Sequence, residues 1–197
     1  MLARLARRWH AAQAMPDHRL FVALPLPEEV REALLDPMEG LVGARWQDAD
    51  NLHLTLRFIG EVDRHQADDL VLALEQVAMP IPGRDFQVAL RGVGHFERKG
   101  RATALWAAVV PCPALDDLQA RVEQACRRAG LAAETRKFVP HVTLARLNAA
   151  SGAVGGWLAR HGTLAAGPWP VTGFALYESH LRASGAYYEE RLRFPGT

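Results

Sequence analysis

A four-residue pattern, His-x-Thr-Leu, occurs twice in this chain. The first copy spans residues 53–56 and the second spans residues 141–144. Each copy lies in a segment that alternates polar and apolar residues, which predicts a β-strand with one polar face and one apolar face. Because alternate side chains of a strand share a face, each histidine is expected to lie beside its threonine. The chain must therefore fold so that two strands of the same design keep a polar pair out of the core.

The segments around the two copies repeat one order of elements. Apolar and alternating runs predict strands, in chain order, at residues 19–25, 52–58, 86–90, 102–110, 138–147 and 171–177. Helical periodicity and helix-starting residues predict helices between them, beginning near Pro27, His65, Pro113 and Ser151. A final hairpin is predicted to turn at residues 183–185. The order strand, helix, strand, helix, strand thus occurs twice and indicates an internal duplication.

The duplication predicts an α+β fold of two pseudo-symmetric lobes, each built from one strand-helix-strand-helix-strand unit. If the two halves of the chain pack as such lobes, both His-x-Thr pairs face one cleft. On the first strand, simple alternation predicts that Arg57 shares the face of His53 and Thr55. The same alternation predicts that Leu56 and Phe58 point into the core.

Composition limits the classes of function. A chain of 197 residues that is 49% hydrophobic, with a net charge of +1, is typical of a soluble globular protein. No apolar run approaches the roughly 20 residues that a membrane helix needs. Any anion site must be local, and the basic clusters at residues 98–101, 127–128 and 136–137 are candidates. Cys112 and Cys126 lack metal or redox spacing, so we expect a reduced, cytoplasmic protein.

Residues 1–18 differ from the rest of the chain. They contain Arg4, Arg7 and Arg8 but no acidic residue before Asp17, and they lack the unbroken apolar stretch of a secretory signal. We therefore expect a loosely held basic tail, with Met15 as an alternative start. Residues 19–197 are predicted to form a single bilobal domain.

Two imidazoles and two hydroxyls around one cleft suit the cleavage of phosphate esters without a metal. An imidazole can accept or donate a proton near neutral pH, because its unperturbed pKa is about 6.5. Hydroxyls can hold phosphate oxygens by hydrogen bonds, and an arginine can neutralise the charge that develops there. The sequence contains neither a His-Glu-x-x-His motif nor a cysteine-rich cluster that would predict a metal site.

Four segments together resemble one known family. They read, in order, RLFVALPLP, WQDADNLHLTLRFIGEV, KFVPHVTLARL and FALYESHLRASGAYY. The chain from about residue 19 to residue 194 is similar to the RNA 2',3'-cyclic phosphodiesterase family, also called the 2'-5' RNA ligase family, of the two-histidine phosphoesterase superfamily. The resemblance implies two α+β lobes with antiparallel sheets around a central cleft.

The resemblance also implies an activity and its residues. The family hydrolyses a 2',3'-cyclic phosphate at an RNA 3' end to a 2'-phosphate, without a metal or other cofactor, and can show weak, reversible 2'-5' ligation. By motif, His53 would be the proton donor and His141 the proton acceptor, and Thr55 and Thr143 would bind phosphate oxygens. Arg146 matches an arginine of the family's site.

Two further assignments depend on the resemblance. Alternation places Arg146 on the face opposite His141, so either the strand twists or bulges there or the side chain reaches around its end. Phe138 would stack on a base, which is a general use of aromatic side chains toward unpaired bases.

Two other functions stay open at this point. The same chemistry could act on another small cyclic phosphate or on a 2'-5' oligonucleotide. Alternatively, the chain could be a non-catalytic module that binds RNA ends, although binding alone does not require two proton-transfer groups. The expected partner is RNA with a 2',3'-cyclic phosphate end or a small cyclic nucleotide, with no membrane partner, and a monomer is expected.

Overall fold

The computed structural model describes residues 18–78, 86–182 and 185–196. The strands are β1 His18–Pro25, β2 Arg45–Trp46, β3 His53–Val62, β4 Gln87–Arg98, β5 Arg101–Val109, β6 His141–Arg146, β7 Ala165–Pro170, β8 Gly173–Arg182 and β9 Gly185–Pro195. The helices are α1 Glu28–Leu35, α2 Arg64–Ala78, α3 Pro113–Arg128 and α4 Gly155–His161. The α+β class that the sequence predicts is confirmed.

Some predictions fall outside the described residues. They are the basic tail over residues 1–17 and the hairpin turn at residues 183–184. The pair Met79-Pro80, which the sequence predicts to stop the helix that begins near His65, also lies there. Strand β1 begins at His18, one residue before the predicted start of the folded domain. Among the described residues, no helix combines the length and the apolar character that crossing a bilayer would require.

Helix α1 begins and ends where its residue types favour these boundaries. Pro27 is the N-terminal cap, and Glu28 and Glu29 occupy the first turn, where the helix dipole favours negative charge. The helix ends at Leu35, and Pro37 follows two residues later. A proline at that position disfavours continuation because it has no backbone N–H and clashes with the preceding turn.

Helices α2 and α3 pack against each other and bury the faces that their periodicity predicts. The buried side chains are Leu70, Val71, Leu74 and Val77 of α2, and Leu115, Leu118, Val122 and Cys126 of α3. Burying one such side chain contributes roughly 1.5–3 kcal/mol. These helices therefore cover one face of the sheet, and the polar side chains of the site lie on the opposite face.

All the paired strands are antiparallel and form one sheet, in the order β7-β4-β5-β6-β3-β1-β8-β9. Strand β2 pairs with the C-terminal end of β6. Two four-strand groups, β7-β4-β5-β6 and β3-β1-β8-β9, meet where β3 pairs with β6 through Leu54 and Val142. The two groups form two lobes, as predicted, although each lobe is not built from one continuous unit of the chain, and the His-x-Thr strands lie at their junction.

The lobes are not consecutive halves of the chain. Strand β4, the third long strand of the first half, pairs with β5 of the second half. Strand β8, the corresponding strand of the second half, pairs with β1 of the first. Each half thus gives its third strand to the other lobe. Sequence periodicity predicts the elements but not this exchange, because pairing partners depend on distant contacts.

Strand β7 is absent from the sequence prediction. Its residues, AAGPWP, include a glycine and two prolines, which usually argue against a strand. The structure places β7 at one end of the sheet, paired only with β4 among the described strands. An edge strand tolerates proline because one of its sides needs no hydrogen-bond donor.

Candidate active site

The two His-x-Thr motifs lie on neighbouring antiparallel strands. Leu54 of β3 is directly opposite Val142 of β6, and both side chains are fully buried. If this register continues for one residue in each direction, His53 is opposite Thr143 and Thr55 is opposite His141. Since alternate residues share a face, all four polar side chains lie on the face opposite the buried pair. The two histidines are diagonal neighbours, for which Cα separations are about 7–8 Å.

A β-bulge in β6 resolves the position of Arg146. Across the pairing with β5, Leu105 is opposite Ala145 but the next residue, Trp106, is opposite Thr143, so Leu144 is an extra residue. Leu144 and Ala145 are both buried in succession, which breaks the alternation. Arg146 is thereby turned to the face of the two histidines, as a bulge typically re-aims the side chains beyond it.

Strand β3 has a bulge at the equivalent position, three residues after its histidine. Opposite β1, Ala23 pairs with Thr55 and the preceding Val22 pairs with Arg57, so Leu56 is the extra residue. The predicted orientation of Arg57 and Phe58 is therefore wrong. The bulge turns Phe58 to the face of His53, where it is 40% exposed, and it turns Arg57 away from that face.

Arg57 holds the loop that precedes β6. Its guanidinium donates hydrogen bonds to Glu123 Oε2 of α3 at 2.6 Å and to the Ala132 carbonyl oxygen at 2.7 Å. It also forms a longer contact, of 3.4 Å, with Glu134 Oε2. Glu123 in turn accepts a bond from the backbone N–H of Glu134 at 3.0 Å. This network ties the segment leading to His141 to strand β3.

A cavity of about 150 Å³ opens on this face of the sheet. Thr55, Thr143 and Arg146 line it together with His53, so both motifs contribute side chains to one cavity. Residues from β1 and from the β8–β9 hairpin complete it. The remaining lining residues are Arg19, Phe21, Gln47, Asn51, Phe58, Ser179, Leu181, Ala186 and Tyr188.

Both imidazoles are oriented in the same way. His53 Nδ1 lies 2.7 Å from the Asn51 carbonyl oxygen, and His141 Nδ1 lies 2.6 Å from the Val139 carbonyl oxygen. A carbonyl oxygen can only accept, so each Nδ1 carries a hydrogen. In the neutral ring, Nε2 then holds the lone pair. The backbone two residues before each histidine thus selects the tautomer that leaves Nε2 available to accept a proton.

Burial makes both histidines weaker bases. Desolvation lowers the pKa of His53 from 6.5 to about 4; the hydrogen bond to Asn51 raises it in part, and the charges of His141 and Arg146 lower it further. Desolvation also lowers the pKa of His141, against the effect of the bond to Val139, and Arg146 adds to the decrease. Both rings are therefore mainly neutral at pH 7 in the free protein.

Aromatic rings surround each histidine and account for this desolvation. Phe21 and Tyr188 lie 4.7 and 5.2 Å from the His53 ring, measured between centroids. Phe96 meets the His141 ring edge-on at 4.8 Å, and the Trp106 ring lies at 6.1 Å. These aromatic neighbours were not predicted as site residues, because no local spacing relates them to the histidines.

Asn51 connects the site to the β8–β9 hairpin. It is a buried polar residue whose side-chain Nδ2 donates to the Ala186 carbonyl oxygen at 2.8 Å. Its Oδ1 accepts a hydrogen bond from the backbone N–H of Tyr188 at 3.3 Å. Since the Asn51 carbonyl also fixes His53, this residue sets the hairpin and the histidine relative to each other.

Two predicted site residues, His141 and Phe138, lie outside the cavity lining. His141 is beside the cavity, since Thr143, two residues along the same strand and on the same face, lines it. Phe138 is partly buried and packs against the hydrophobic core. It lies in the loop between α3 and β6, two residues before Pro140. Its position gives no support to the expected stacking on a base.

Glu178, His180 and Glu189 have ligand atoms within 4.8 Å of one another, which would permit a metal ion. Arg191, however, forms ion pairs with both carboxylates, at 3.4 Å to Glu178 and 3.0 Å to Glu189. His18 Nδ1 is also 2.9 Å from Glu178. Because Arg191 already contacts an oxygen of both carboxylates, we assign no metal to this group.

The sequence is similar to those of named proteins from other organisms. The chain is 34% identical over 189 residues to an RNA 2',3'-cyclic phosphodiesterase of Thermus thermophilus, with 89% of each chain covered. It is 32% identical over 133 residues to a protein of the same name from Thermotoga maritima. The aligned part is 66% of this chain and 70% of the relative.

Solved structures show the same fold. A crystal structure of the Thermus thermophilus protein TT0787 matches with a TM-score of 0.73 at 30% identity, covering 90% of this chain and 97% of the other. E. coli LigT complexed with 3'-AMP matches with a TM-score of 0.69 at 27% identity, covering 91% of this chain and 98% of the other. The family model of the 2'-5' RNA ligase superfamily matches residues 25–182. The chain belongs to the 2'-5' RNA ligase superfamily.

Proposed function

We propose that this protein is an RNA 2',3'-cyclic phosphodiesterase that opens a cyclic phosphate by general acid–base catalysis. The observation that carries the proposal is the pairing of the two His-x-Thr motifs on adjacent strands, with Arg146 turned toward them. The names of the relatives supply the substrate class. Two neighbouring imidazoles supply the two proton transfers that hydrolysis needs.

In the proposed reaction, water attacks phosphorus and the bond from phosphorus to the 3' oxygen breaks. His141 Nε2 accepts the proton of the attacking water, and His53 Nε2 donates a proton to the departing 3' oxygen. The products are a 2'-phosphate and a 3'-hydroxyl. Thr55 and Thr143 donate hydrogen bonds to the non-bridging oxygens, and Arg146 stabilises the negative charge that increases on them.

The electrostatics of the free protein bear on this assignment of roles. A proton donor must carry its proton before reaction, whereas burial lowers the pKa of His53 to about 4. An anionic phosphate close to the ring favours the imidazolium and raises the pKa of both histidines. Substrate binding should therefore be accompanied by proton uptake. His53 and His141 titrate as a coupled pair, so the acid and base roles are defined in the complex.

The same groups allow weak 2'-5' ligation when the 5'-hydroxyl of a second RNA takes the place of water. His141 then accepts the proton of that hydroxyl as it attacks phosphorus, the bond from phosphorus to the 3' oxygen breaks, and His53 protonates the departing oxygen, which leaves a 2'-5' phosphodiester. By microscopic reversibility His53 deprotonates the 3'-hydroxyl and His141 protonates the departing 5' oxygen when this linkage is cleaved, so ligation is reversible and requires no additional residue.

The test is product identification in the presence of a chelator. A short RNA with a 2',3'-cyclic phosphate end is incubated with the protein and EDTA, and its product is compared with 2'-phosphate and 3'-phosphate standards. We expect only the 2'-phosphate. Formation of the 3'-phosphate would overturn the bond assignment, and activity that appears only with an added divalent ion would overturn the proposed chemistry.

The same assay distinguishes the alternative substrates. A 2'-5' oligoadenylate and ADP-ribose 1'',2''-cyclic phosphate are tested at equal concentration. We expect the RNA end to have the highest kcat/KM. A higher value for either alternative would place the protein among enzymes of the same chemistry with a different substrate, and binding of RNA with no turnover of any substrate would identify a binding module.

A further inference from the structure

The hairpin formed by β4 and β5 has a strongly basic tip that the proposed chemistry does not use. Arg98 and Arg101 are paired across the hairpin, and Lys99 lies in the turn between them with a left-handed backbone, φ 52°. All three side chains are exposed. Within the part of the chain that the structure describes, none of them forms an ion pair or a side-chain hydrogen bond. Glu97, the one acid beside them, lies 4.0 Å from His95.

This hairpin is built into the site on its other side. Phe96 contacts the His141 ring, and Trp106 lies flat over Gly94, where a Cβ atom would come within 2.3 Å of the indole. Gly94 therefore allows the close packing that seats the hairpin against β6. A bulge between the two strands makes Thr103 of β5 the extra residue, so alternation is kept along β4. Arg98 therefore lies on the face of Phe96, and Arg101, which is paired with Arg98, lies there too.

The strand register gives the distance from the reacting groups to the tip. Arg146 is opposite Ala104 of β5, and Arg101 lies three residues further along the same strand. Thr103 is an extra residue in the pairing with β4, so the stretch from Ala104 to Arg101 spans two steps of the paired strand. With about 3.3 Å per step and about 4.8 Å between strands, the Cα atoms of Arg146 and Arg101 are roughly 8 Å apart. Long arginine side chains at both ends can therefore contact neighbouring phosphates of one nucleic-acid strand.

We propose that the tip of the β4–β5 hairpin binds the phosphodiester backbone of the RNA next to the cyclic end. This inference rests on the proposed function and adds to it a preference for polynucleotides over cyclic mononucleotides. Cations that contact phosphates release counterions, so affinity depends strongly on salt but not on sequence. A mononucleotide has no adjacent phosphodiester and gains nothing from the tip.

The test compares two double variants, each of which removes two exposed arginines. Arg98→Gln/Arg101→Gln removes the tip charges and leaves Lys99, whose left-handed backbone makes substitution there a test of the turn as well. Arg127→Gln/Arg128→Gln, at the C-terminal end of α3, is the matched control. The kcat/KM is measured between about 50 and 200 mM salt for a cyclic-ended RNA of about 10 nucleotides and for a 2',3'-cyclic mononucleotide.

For the tip variant we expect kcat/KM on the RNA to fall roughly 10- to 50-fold at about 50 mM salt, with the value for the mononucleotide changed less than about twofold. The slope of log kcat/KM against log salt should become shallower by about 1.4, since each lost phosphate contact contributes about 0.7 for a single strand. The control should retain the wild-type slope. Equal losses on both substrates, an unchanged slope, or an equal effect of the control would overturn the inference.

Failure of the proposed function would be recognised separately. In that case the wild-type protein would turn over neither substrate. The binding of a fluorescent RNA with a terminal 2'-phosphate would then be measured for the same variants and salts. A shallower slope for the tip variant alone would support the RNA-binding tip without catalysis, and equal slopes for all three proteins would reject it.

Discussion

His53 loses its water when the protein folds, and this links its protonation to stability. Its pKa is about 4 in the folded protein, whereas the pKa of a solvent-exposed histidine is 6.5. The unfolded chain therefore binds more protons than the folded protein between these pH values. The free energy of unfolding that is due to the neutral His53 ring is fully present above pH 6.5 and is lost as the pH falls toward 4. Acid should thus act on the protein partly through this one ring.

The prediction is a difference between two proteins. Between about pH 7.5 and pH 5, the free energy of unfolding of the wild-type protein should fall about 2 kcal/mol more than that of the His53→Gln variant. Denaturant titrations at the two pH values measure both quantities. Equal losses would show that His53 keeps an ordinary pKa.

The pH dependence of catalysis follows from the same burial. The profile of kcat/KM reports the free enzyme, in which the pKa of both histidines is lowered. We expect a bell-shaped profile with its maximum below about pH 6.5. The profile of kcat reports the complex, where the bound phosphate anion favours imidazolium, so its maximum should lie at higher pH. Coincident maxima above neutral pH would contradict the lowered pKa values.

Part of the site follows from single residues and part does not. Two copies of His-x-Thr on alternating strands suffice to predict His53, Thr55, His141 and Thr143 as one set. The bulges at Leu56 and Leu144 are set by pairing with β1 and β5, so alternation within one strand cannot reveal them. For that reason the sequence places Arg57 in the cleft and Phe58 in the core, and the structure reverses both.

At the level of elements, Arg57 shows how a strand supports the site from behind. Its side chain is 10% exposed and that of its partner Glu123 is 19% exposed. We expect Arg57→Ala to lower the free energy of unfolding by about 3 kcal/mol, because removal of one partner leaves a largely buried charge unpaired. The control is Arg136→Ala, which removes an ion pair whose arginine is 78% exposed and should cost less than about 1 kcal/mol.

Thermal or denaturant unfolding measures this difference. Turnover of Arg57→Ala should also fall, since the loop that Arg57 holds supplies the Val139 carbonyl bound to His141. Similar stability losses for the two variants would show that the Arg57 network does not hold the loop.

For the whole molecule, the exchange of third strands makes the two halves interdependent. Strand β4 leaves the first half to pair with β5, and β8 leaves the second half to pair with β1. The sequence predicts the duplicated order of elements because helix and strand periodicities are local. It does not predict which lobe receives each third strand, because that depends on contacts between the halves.

The exchange predicts the behaviour of a protein divided at Lys99 and Gly100. Residues 18–99 and 100–197 expressed separately should each lack a cooperative unfolding transition, since the first lacks both partners of β4 and the second lacks the β1 partner of β8. Mixed together, they should regain a transition and turn over a cyclic mononucleotide. Cooperative unfolding of either half alone would show that a lobe is self-contained.

The central claim is that His53 and His141 act as a pair on one phosphate, and steady-state turnover of a 2',3'-cyclic phosphate by histidine variants tests it most directly. His53→Ala and His141→Ala should each lower kcat about 10²- to 10⁴-fold, and the double variant should be little worse than the poorer single one. His65→Ala, an exposed histidine on α2, should be unchanged. Folded single variants that retain near-wild-type kcat would contradict the two-histidine mechanism.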